Sequence, residues 1–528
     1  MRLYIRSSGE RALLLCMLLL MLPAMAWAQV PSLEATGVPT ISRNSTANLH
    51  AEGDSLWVGS FLNLTADGGN TWFVADADSL FGSRNTVFSI DVEGETIWAG
   101  LGFSSREGSN NVASAAGFLV SEDGGATFQY RFPQLDGGEN DTETYGVSTL
   151  SALPVIVPQQ SPPFDVDYDP VRDEVWMAGW ASGIRHSTDG GRNWNRVVLP
   201  PDSLDSIHPD TLYDFRIEPR RGLLGFFNYL GFSVLVDETG TVWAGTVAGV
   251  NRSTPDDITP SGERAWSRFG FDGTSQTLTG NWVISIEEQP LAGRRNPIWM
   301  ASWDGSDGTG PRQRFGVTVT RDGGETFEQV LRDERVFDFA FKGDTVYVAG
   351  ENGLFITKDG GDSWRTVRDF FDPTQPDRFV PPDVEVNSVA VTANGDLWVG
   401  TTDGLFKSSD NAETWRIFRV EVPVNTDNPT DAIPDVASFA YPNPFSPFAD
   451  RLTRIRYELS DQRDVRVRIF DFGMNLVRDL HENGAGAGVR ETVWDGRDKN
   501  GLRVANGPYF YVVEAGSDAF RGKILVIE

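Results

Sequence analysis

The chain has 528 residues with a formal net charge of −29, and it contains 55 glycines and 29 prolines. Its length exceeds what one hydrophobic core usually organises, and its many turn-forming residues favour short strands over long helices. The excess of carboxylates excludes nucleic acid as an expected partner, because it repels a phosphate backbone.

Residues 1–28 form a predicted secretory signal peptide. The segment starts with basic residues at Arg2, Arg6 and Arg11 and continues with an apolar run at 12–22. A small-x-small cleavage pattern follows at Ala26–Ala28. A membrane anchor is the alternative, but the run is short, and we expect no transmembrane segment in the mature chain. Cys16, the single cysteine, lies in this segment, so the mature chain is expected to form no disulfide and no thiolate metal site. A lead segment is expected at 29–46.

Two signals alternate between residues 47 and 420. The first is a short apolar strand with a central aromatic residue, which occurs at 56–60, 97–100, 175–179, 242–245, 298–302, 346–350 and 397–400. The second has the form Ser/Thr-x-Asp-Gly-Gly-x-Thr-Trp and occurs at 65–72, 121–128, 187–194, 320–327 and 357–364, with degenerate copies at 253–266 and 408–415. An alternating segment precedes each aromatic strand, so each unit is predicted to hold four strands. Seven such units predict a closed ring of sheets, a seven-bladed β-propeller.

The second signal resembles the Asp-box, or BNR, repeat of sialidases and related propellers. Gly-Gly suits the positive φ angles of a tight turn, and the aspartate is expected to accept hydrogen bonds from turn amides. The resemblance therefore implies structural aspartates, with calcium ligation as the alternative. These residues are Asp67, Asp123, Asp189, Asp322, Asp359 and Asp410.

The largest connections are predicted to lie at the end of the ring opposite the aspartate hairpins, where a ligand surface is expected. They span 103–117, 131–163, 198–231, 270–281, 303–314 and 369–386. Aromatic residues predicted near this rim are the candidate ligand-binding residues, with packing of the loops as the alternative role. They are Tyr145, Trp180, Tyr213, Phe226, Phe227, Tyr229 and Trp303.

The sequence assigns no catalytic residue, metal ligand or cofactor. The sialidase entry motif is Phe/Tyr-Arg-Ile-Pro, and 215–219 departs from it at the proline and lies in an insertion. The histidines share no metal-ligand spacing; they are His50, His186, His208 and His481. Two carboxylates would suffice for a glycosidase, but an acidic chain offers too many candidates for the sequence to select a pair.

A linker is predicted at 421–437, followed by a small β-sandwich at 438–528 with strands at 453–459, 465–470, 491–494, 509–514 and 521–527. The motifs Tyr-Pro-Asn-Pro at 441–444, Trp-Asp-Gly-Arg-Asp at 494–498 and Gly-Pro-Tyr-Phe-Tyr at 507–511 resemble the immunoglobulin-like domain of flagellar hook-capping proteins. They equally resemble the type A sorting domain of the type IX secretion system. The resemblance implies contact with secretion machinery and a location outside a Gram-negative cell, either secreted or on the outer-membrane surface; a plain accessory sandwich is the alternative.

The sequence thus predicts an all-β protein, a seven-bladed β-propeller followed by an immunoglobulin-like β-sandwich. We expect a monomer that binds an extracellular glycan or protein through its loop-rich face without catalysis. The alternative is a glycoside hydrolase, sialidase-like or of another Asp-box type, acting on extracellular polysaccharide.

Overall fold

The computed structural model describes residues 33–35, 40–59, 61–75, 86–107, 110–138, 142–219, 226–306, 310–375, 380–381, 384–420, 437–447, 450 and 452–527. The predicted signal peptide, with Cys16, and nearly all of the predicted linker lie outside these residues. Within them the regular structure is almost entirely β, with short 3-10 turns at Phe227–Tyr229 and Pro255–Asp257. The predicted fold class is confirmed.

Seven antiparallel sheets follow one another in the described part of the chain, and we number them 1 to 7. Each has four strands, a to d, in sequence order. Sheet 1 holds β2 (Leu49–Glu52), β3 (Ser55–Val58), β4 (Asn63–Thr65) and β5 (Phe73–Ala75), with β1 (Leu33–Ala35) added beside β5. Sheet 2 holds β6 (Thr86–Glu93), β7 (Thr96–Glu107), β8 (Asn110–Ser121) and β9 (Gln129–Arg131). Sheet 3 holds β12 (Pro163–Asp169), β13 (Glu174–Gly179), β14 (Gly183–Ser187) and β15 (Asn195–Arg196).

The remaining sheets repeat this order. Sheet 4 holds β18 (Gly231–Val236), β19 (Val242–Thr246), β20 (Gly249–Ser253) and β21 (Trp266–Phe269). Sheet 5 holds β22 (Trp282–Glu288), β23 (Ile298–Trp303), β24 (Gly316–Thr320) and β25 (Glu328–Arg332). Sheet 6 holds β26 (Val336–Lys342), β27 (Thr345–Gly350), β28 (Gly353–Thr357) and β29 (Arg365–Val367), and sheet 7 holds β30 (Val386–Val391), β31 (Leu397–Thr401), β32 (Gly404–Ser408) and β33 (Arg416–Phe418).

The seven sheets form a closed ring, because each strand a contacts strand a of the next sheet, and β30 contacts β2. Closure is reinforced where the two ends of the ring meet. The Gly404 N–H donates to the Asn44 carbonyl at 2.6 Å, and the Val420 N–H donates to the Asn44 side chain at 2.6 Å. The Trp72 ring packs at 5.5 Å from Phe418 and 6.3 Å from Trp398. The first and last sheets are therefore joined by both backbone and side-chain contacts.

The predicted aromatic strands are the b strands, and their central aromatic residues are buried between neighbouring sheets. Trp98 of sheet 2, for example, lies 6.3 Å from Trp194 of sheet 3. Alternation along a strand sends every second side chain to the same sheet face, so one large ring per sheet fills the gap to its neighbour. This repeated packing forms the core of the ring.

Six of the seven c-to-d hairpins share one hydrogen-bond pattern, which Thr65–Trp72 illustrates. The Thr65 hydroxyl donates to Asp67 and accepts from the Gly69 N–H at 2.8 Å, while Asp67 accepts from both the N–H and the hydroxyl of Thr71 at 2.8 and 2.7 Å. The degenerate copy at 408–415 keeps the pattern, with Asn411 and Ala412 both at positive φ. The copy at 253–266 replaces it with a 3-10 turn capped by Thr254.

The predicted structural aspartates therefore brace hairpins. At Asp359, hydrogen bonds from the side chain and N–H of Ser363 and from the Thr357 hydroxyl lower the pKa to about 2. A carboxylate that accepts several hydrogen bonds is stabilised in its charged form.

The described residues of two insertions, 131–138 with 142–163 and 198–219 with 226–231, pack together as a lateral lobe. The lobe contains β10 (Thr142–Tyr145), β11 (Ser148–Ala152) and β17 (Arg216–Ile217) in one sheet, and β16 (Ser206–Ile207) pairs with the outermost strand β21. The Tyr145 hydroxyl donates to the carbonyl of Arg264, which lies in the c-to-d connection of sheet 4. The lobe thus runs along the outer edge toward the hairpin end of the ring. The prediction that every large insertion lies at the opposite end is wrong for the lobe, because these segments cover the outer edge of sheet 4.

The C-terminal module is a two-sheet sandwich, as predicted. One sheet contains β34 (Ser438–Tyr441), β35 (Thr453–Leu459) and β38 (Gly488–Trp494). The other contains β36 (Arg463–Phe470), β37 (Leu476–Ala485), β39 (Gly507–Ala515) and β40 (Asp518–Val526). The core between them includes Phe445, Ile455, Trp494 and Tyr511. Two strands of the module were not predicted, β34 and β37, and β37 is a largely polar edge strand without clear alternation.

Candidate functional site

An arc of partly exposed apolar side chains lies at the mouth of the axial channel, at the end of the ring opposite the aspartate hairpins. The innermost strands begin at this end, because the c-to-d turns lie at the other end and the strands are antiparallel. We call the arc the apolar collar. It comprises Phe88, Phe164, Trp180, Phe232, Trp282, Ile284, Trp303 and Phe337.

A β-bulge places one collar residue on each innermost strand of sheets 2 to 6. The ladder shifts register around this residue in every case, at Phe88, Phe164, Phe232, Ile284 and Phe337. A bulge adds one residue to one strand and re-aims its side chain. The repeated bulge therefore turns an apolar side chain toward the channel mouth in five consecutive sheets.

The collar rings contact one another across sheet boundaries. The Phe164 centroid lies 6.2 Å from that of Phe88 and 6.0 Å from that of Phe232, and Trp180 lies 5.3 Å from Phe232. Trp282 lies 5.8 Å from Phe232 and is the cross-strand partner of Trp303. Trp303 in turn lies 5.9 Å from Phe337. The ring contacts thus form two groups, and the cross-strand pairing of Trp282 with Trp303 places these groups next to each other.

Five carboxyl groups project from the innermost strands farther into the channel, namely those of Asp91, Asp165, Asp167, Glu287 and Asp338. Backbone N–H groups of the next sheet hold four of them. Asp165 accepts from Val234 at 2.9 Å and Asp338 accepts from Val389 at 2.9 Å. Asp91 and Asp167 accept in the same way from Tyr168 and Val236. These carboxyl groups join neighbouring sheets, which gives them a structural role at the axis.

Partial burial at the axis of the ring, where these groups lose part of their contact with water, raises their pKa values. It raises the pKa of Asp165 to about 7, with the neighbouring charges of Asp91 and Asp338 adding to the effect. Burial also raises the pKa of Asp338 to about 7. For Glu287, burial and then the carboxyl groups of Asp338 and Asp165 raise the pKa well above its usual range. Near neutral pH the channel therefore holds protonated as well as charged carboxyl groups.

The structure separates the aromatic residues predicted near the rim into two groups. Trp180 and Trp303 belong to the collar. Tyr145 and Tyr229 are buried in the lateral lobe, where the Tyr229 hydroxyl donates to the Leu199 carbonyl. The other three are partly buried in the same lobe, and they are Tyr213, Phe226 and Phe227.

Sequence reasoning missed most of the collar. The missed residues lie at the start of innermost strands that the sequence did predict. Aligning the innermost strands would have exposed a recurring apolar residue at one position. The signal was present in Phe88, Phe164, Phe232 and Phe337.

A cleft of about 850 Å³ lies between the collar and the C-terminal module. Ile284, Trp303 and Phe337 line it on the propeller side, and Leu452, Asp495 and Arg497 line it on the module side. The cleft therefore combines an aromatic surface with charged groups that can form hydrogen bonds.

In the described part of the chain no helix is long and apolar enough to cross a membrane. Over the same residues no cluster of three or more histidine, cysteine, aspartate or glutamate side chains has the arrangement of a metal site.

Comparison with known families matches residues 448–519 to the FlgD Ig-like domain. A curated relative is the photosystem II assembly lipoprotein Ycf48 of Synechococcus sp. (strain CC9902). It is 26% identical over 250 residues, which cover 43% of this chain and 69% of that protein.

Similar solved structures include PorZ of Porphyromonas gingivalis, described as an essential bacterial surface component of the type-IX secretion system. It is 13% identical, and the alignment covers 92% of this chain and 75% of PorZ with a TM-score of 0.36. YCF48 from Cyanidioschyzon merolae is 18% identical, with 71% of this chain and 97% of that chain covered and a TM-score of 0.39.

Proposed function

We propose that this chain is a secreted or cell-surface binding protein that holds a neutral polysaccharide at the apolar collar. The observation that carries the proposal is the arc of partly exposed aromatic rings at the channel mouth. Aromatic rings offer large, rigid, apolar faces, and a ligand site typically combines such faces with a few polar groups. The apolar C–H face of a pyranose ring suits stacking on Trp180 or Phe232.

Charge narrows the class of ligand. The chain carries a net charge of −29, and carboxyl groups line the channel beneath the collar. An anionic polysaccharide would meet a repulsive field there, whereas a neutral chain would not. A protein ligand would use the same aromatic surface. The binding experiment must therefore distinguish a protein ligand from a neutral polysaccharide.

The C-terminal module supports the proposed location. Its match to the FlgD Ig-like domain and its sorting-domain motifs favour export through secretion machinery of a Gram-negative bacterium, with the mature protein secreted or on the outer surface. The braced aspartate hairpins favour the Asp-box class for the propeller, and we expect a monomer.

The test is a glycan array probed with the chain lacking residues 1–28. We expect binding to neutral polysaccharides, and Trp180→Ala should weaken it by about tenfold or more through loss of a stacking face. Phe132→Ala is the matched control, because Phe132 is 79% exposed and lies outside the collar. Failure to bind any glycan, together with capture of a defined protein through the collar, would replace the proposal with a protein-binding function.

A glycoside hydrolase is the second candidate, favoured by Glu287. Its carboxyl group has a strongly raised pKa and forms no hydrogen bond with any residue that the structure describes. A protonated carboxyl group is what a glycosidase needs as general acid. Reducing-sugar release measured beside binding separates the candidates: the binding function predicts none. Release by the wild type that Glu287→Gln abolishes would establish hydrolysis.

A further inference from the structure

We propose that the C-terminal sandwich is a docked wall of the ligand cleft and stays bound to the propeller even when the linker is cut. A module serving only as an export handle would need no fixed position. The structure instead seats one of its sheets on sheet 7, through charged side chains that are almost completely buried.

The docking contact is a cluster of four charges and one tyrosine, which we call the docking cluster: Asp403, Arg419, Tyr441, Arg454 and Glu491. Asp403 lies in the turn between β31 and β32 and accepts from Arg419 of the propeller at 2.8 Å and from Arg454 of the module. Glu491 of the module lies 3.3 Å from the Arg454 guanidinium and 3.7 Å from that of Arg419, and it accepts from the Tyr441 hydroxyl.

The charged groups of the docking cluster are almost completely removed from water. The side chains of Arg419, Arg454 and Asp403 are 0%, 1% and 2% exposed. Two positive and two negative groups balance, so the cluster is neutral as a whole. A buried charge is tolerated when its partners are in place and is strongly unfavourable when one is missing. The cluster therefore favours one register of module and propeller over displaced arrangements.

The docking surface coincides with the closure point of the ring. Asn44, which bonds to Gly404 and Val420, lies beside Arg43, and Arg43 lies 3.9 Å from Asp450 of the module. Docking thus engages the segment that joins sheets 1 and 7. It also positions the module beside the apolar collar.

The consequence for binding rests on the proposed function. With the module docked, Leu452, Asp495 and Arg497 face Trp303 and Phe337 across the cleft. Hydroxyl groups of a sugar whose ring stacks on the collar could then hydrogen-bond to Asp495 and Arg497. The module would contribute directly to recognition of the polysaccharide.

The docking is tested by replacing part of 421–436 with a site for a specific protease in the otherwise complete chain. After cleavage, the two fragments of the wild type should elute together from a size-exclusion column. Asp403→Ala leaves Arg419 and Arg454 short of a counter-charge, so it should weaken association on the order of 100-fold or more and release the module. Release of the module from the cleaved wild type would overturn the proposal.

Asp479→Ala is the matched control, because it breaks an exposed ion pair with Arg466 on the sheet that faces away from the docking cluster. It should leave the fragments associated. Arg454→Met tests the contact from the module side, so that a folding defect confined to Asp403→Ala does not decide the result. Retained near-UV circular dichroism identifies variants that stay folded.

The contribution of the module to ligand binding in the cleft is tested by measuring the affinity of Arg497→Ala for the polysaccharide that the array identifies. We expect at least about a fivefold loss, whereas Arg521→Ala, an exposed arginine on β40, should bind as the wild type does. Wild-type affinity in Arg497→Ala and Asp495→Ala would overturn the role of the module in the cleft. Absence of binding in all forms would contradict the proposed function and the role of the cleft, while the cleavage experiment alone decides the docking.

Discussion

The Asp165 carboxylate on the innermost strand of sheet 3 accepts a hydrogen bond from the backbone N–H of Val234, on the innermost strand of sheet 4, at 2.9 Å. Innermost strands are sheet edges, so they carry N–H groups that no ladder partner satisfies. A carboxylate from the preceding sheet supplies the acceptor. The same relationship joins Asp338 to Val389 at 2.9 Å. Side chains that cap sheet edges thus join neighbouring sheets at the axis of the ring.

Removing one of these acceptors should destabilise the ring. Asp338→Ala leaves the N–H groups of Phe339 and Val389 without their acceptor, so we expect a loss of about 1–3 kcal/mol in the free energy of unfolding. Asp338→Asn keeps one acceptor oxygen and should lose less. Asp369→Ala, at an exposed position, is the control. Denaturant titration measures all three, and equal stability of Asp338→Ala and the wild type would contradict the capping role.

The channel carboxyl groups predict how stability depends on pH. Asp165 and Asp338 have pKa values raised to about 7 in the folded state, above those of an unfolded chain. Their contribution to the stability of the folded state is complete below the pKa of the unfolded chain, and it is lost as the pH rises through 7. Asp359 has the opposite shift, to about 2, so its contribution is present above the unfolded pKa and is lost only as the pH falls through 2.

We therefore expect a higher Tm at pH 5.5 than at pH 8.5, by roughly 5 °C. The double variant Asp165→Asn with Asp338→Asn should show a smaller dependence over this range, with the remainder due to groups such as Glu287. A Tm that increases between pH 6 and pH 8.5 would show that these carboxyl groups are not buried as described. Thermal scans in buffers of constant ionic strength provide the measurement.

The two glycines of an aspartate hairpin should differ in their tolerance of alanine. Both Gly190 and Gly191 have positive φ, so alanine is strained at either position. A Cβ on Gly191 would lie 2.6 Å from the Trp98 ring of the preceding sheet, whereas at Gly190 the nearest atom is 3.6 Å away on the flexible Arg192 side chain. Gly191→Ala should therefore lower the Tm more than Gly190→Ala does. Equal effects would indicate that backbone strain alone decides.

Ring closure should depend on Trp72. Its indole is 2% exposed and packs between the first and last sheets against Trp398 and Phe418. Trp72→Ala should cost about 3–5 kcal/mol, in the range found for large core aromatics. Val171→Ala, at a position 88% exposed, should cost little. Chemical denaturation compares the two, and a loss below about 1 kcal/mol for Trp72→Ala would argue against closure through this contact.

Local sequence signals predicted the strands and hairpins because each depends on residues close in the chain. The aromatic b strands alternate with a period of two, and the hairpin aspartate bonds to groups within four residues. The hairpin at 408–415 forms the same turn as the others although it lacks the glycine pair, because Asn411 and Ala412 adopt the required positive φ. The candidate site was predicted less well: of the aromatic residues predicted at the rim, only Trp180 and Trp303 lie in the collar.

The sequence by itself determined the repeating unit, the all-β class and the sandwich at the C-terminus, because turn chemistry and alternation act over a few residues. Only the tertiary structure decided which side chains meet across sheets: the collar, the channel carboxylates, the lateral lobe and the docking cluster. Asp403 and Arg454 are separated by 51 residues, and Asp165 and Val234 by 69. Such contacts depend on how whole sheets pack, and no local pattern encodes that geometry.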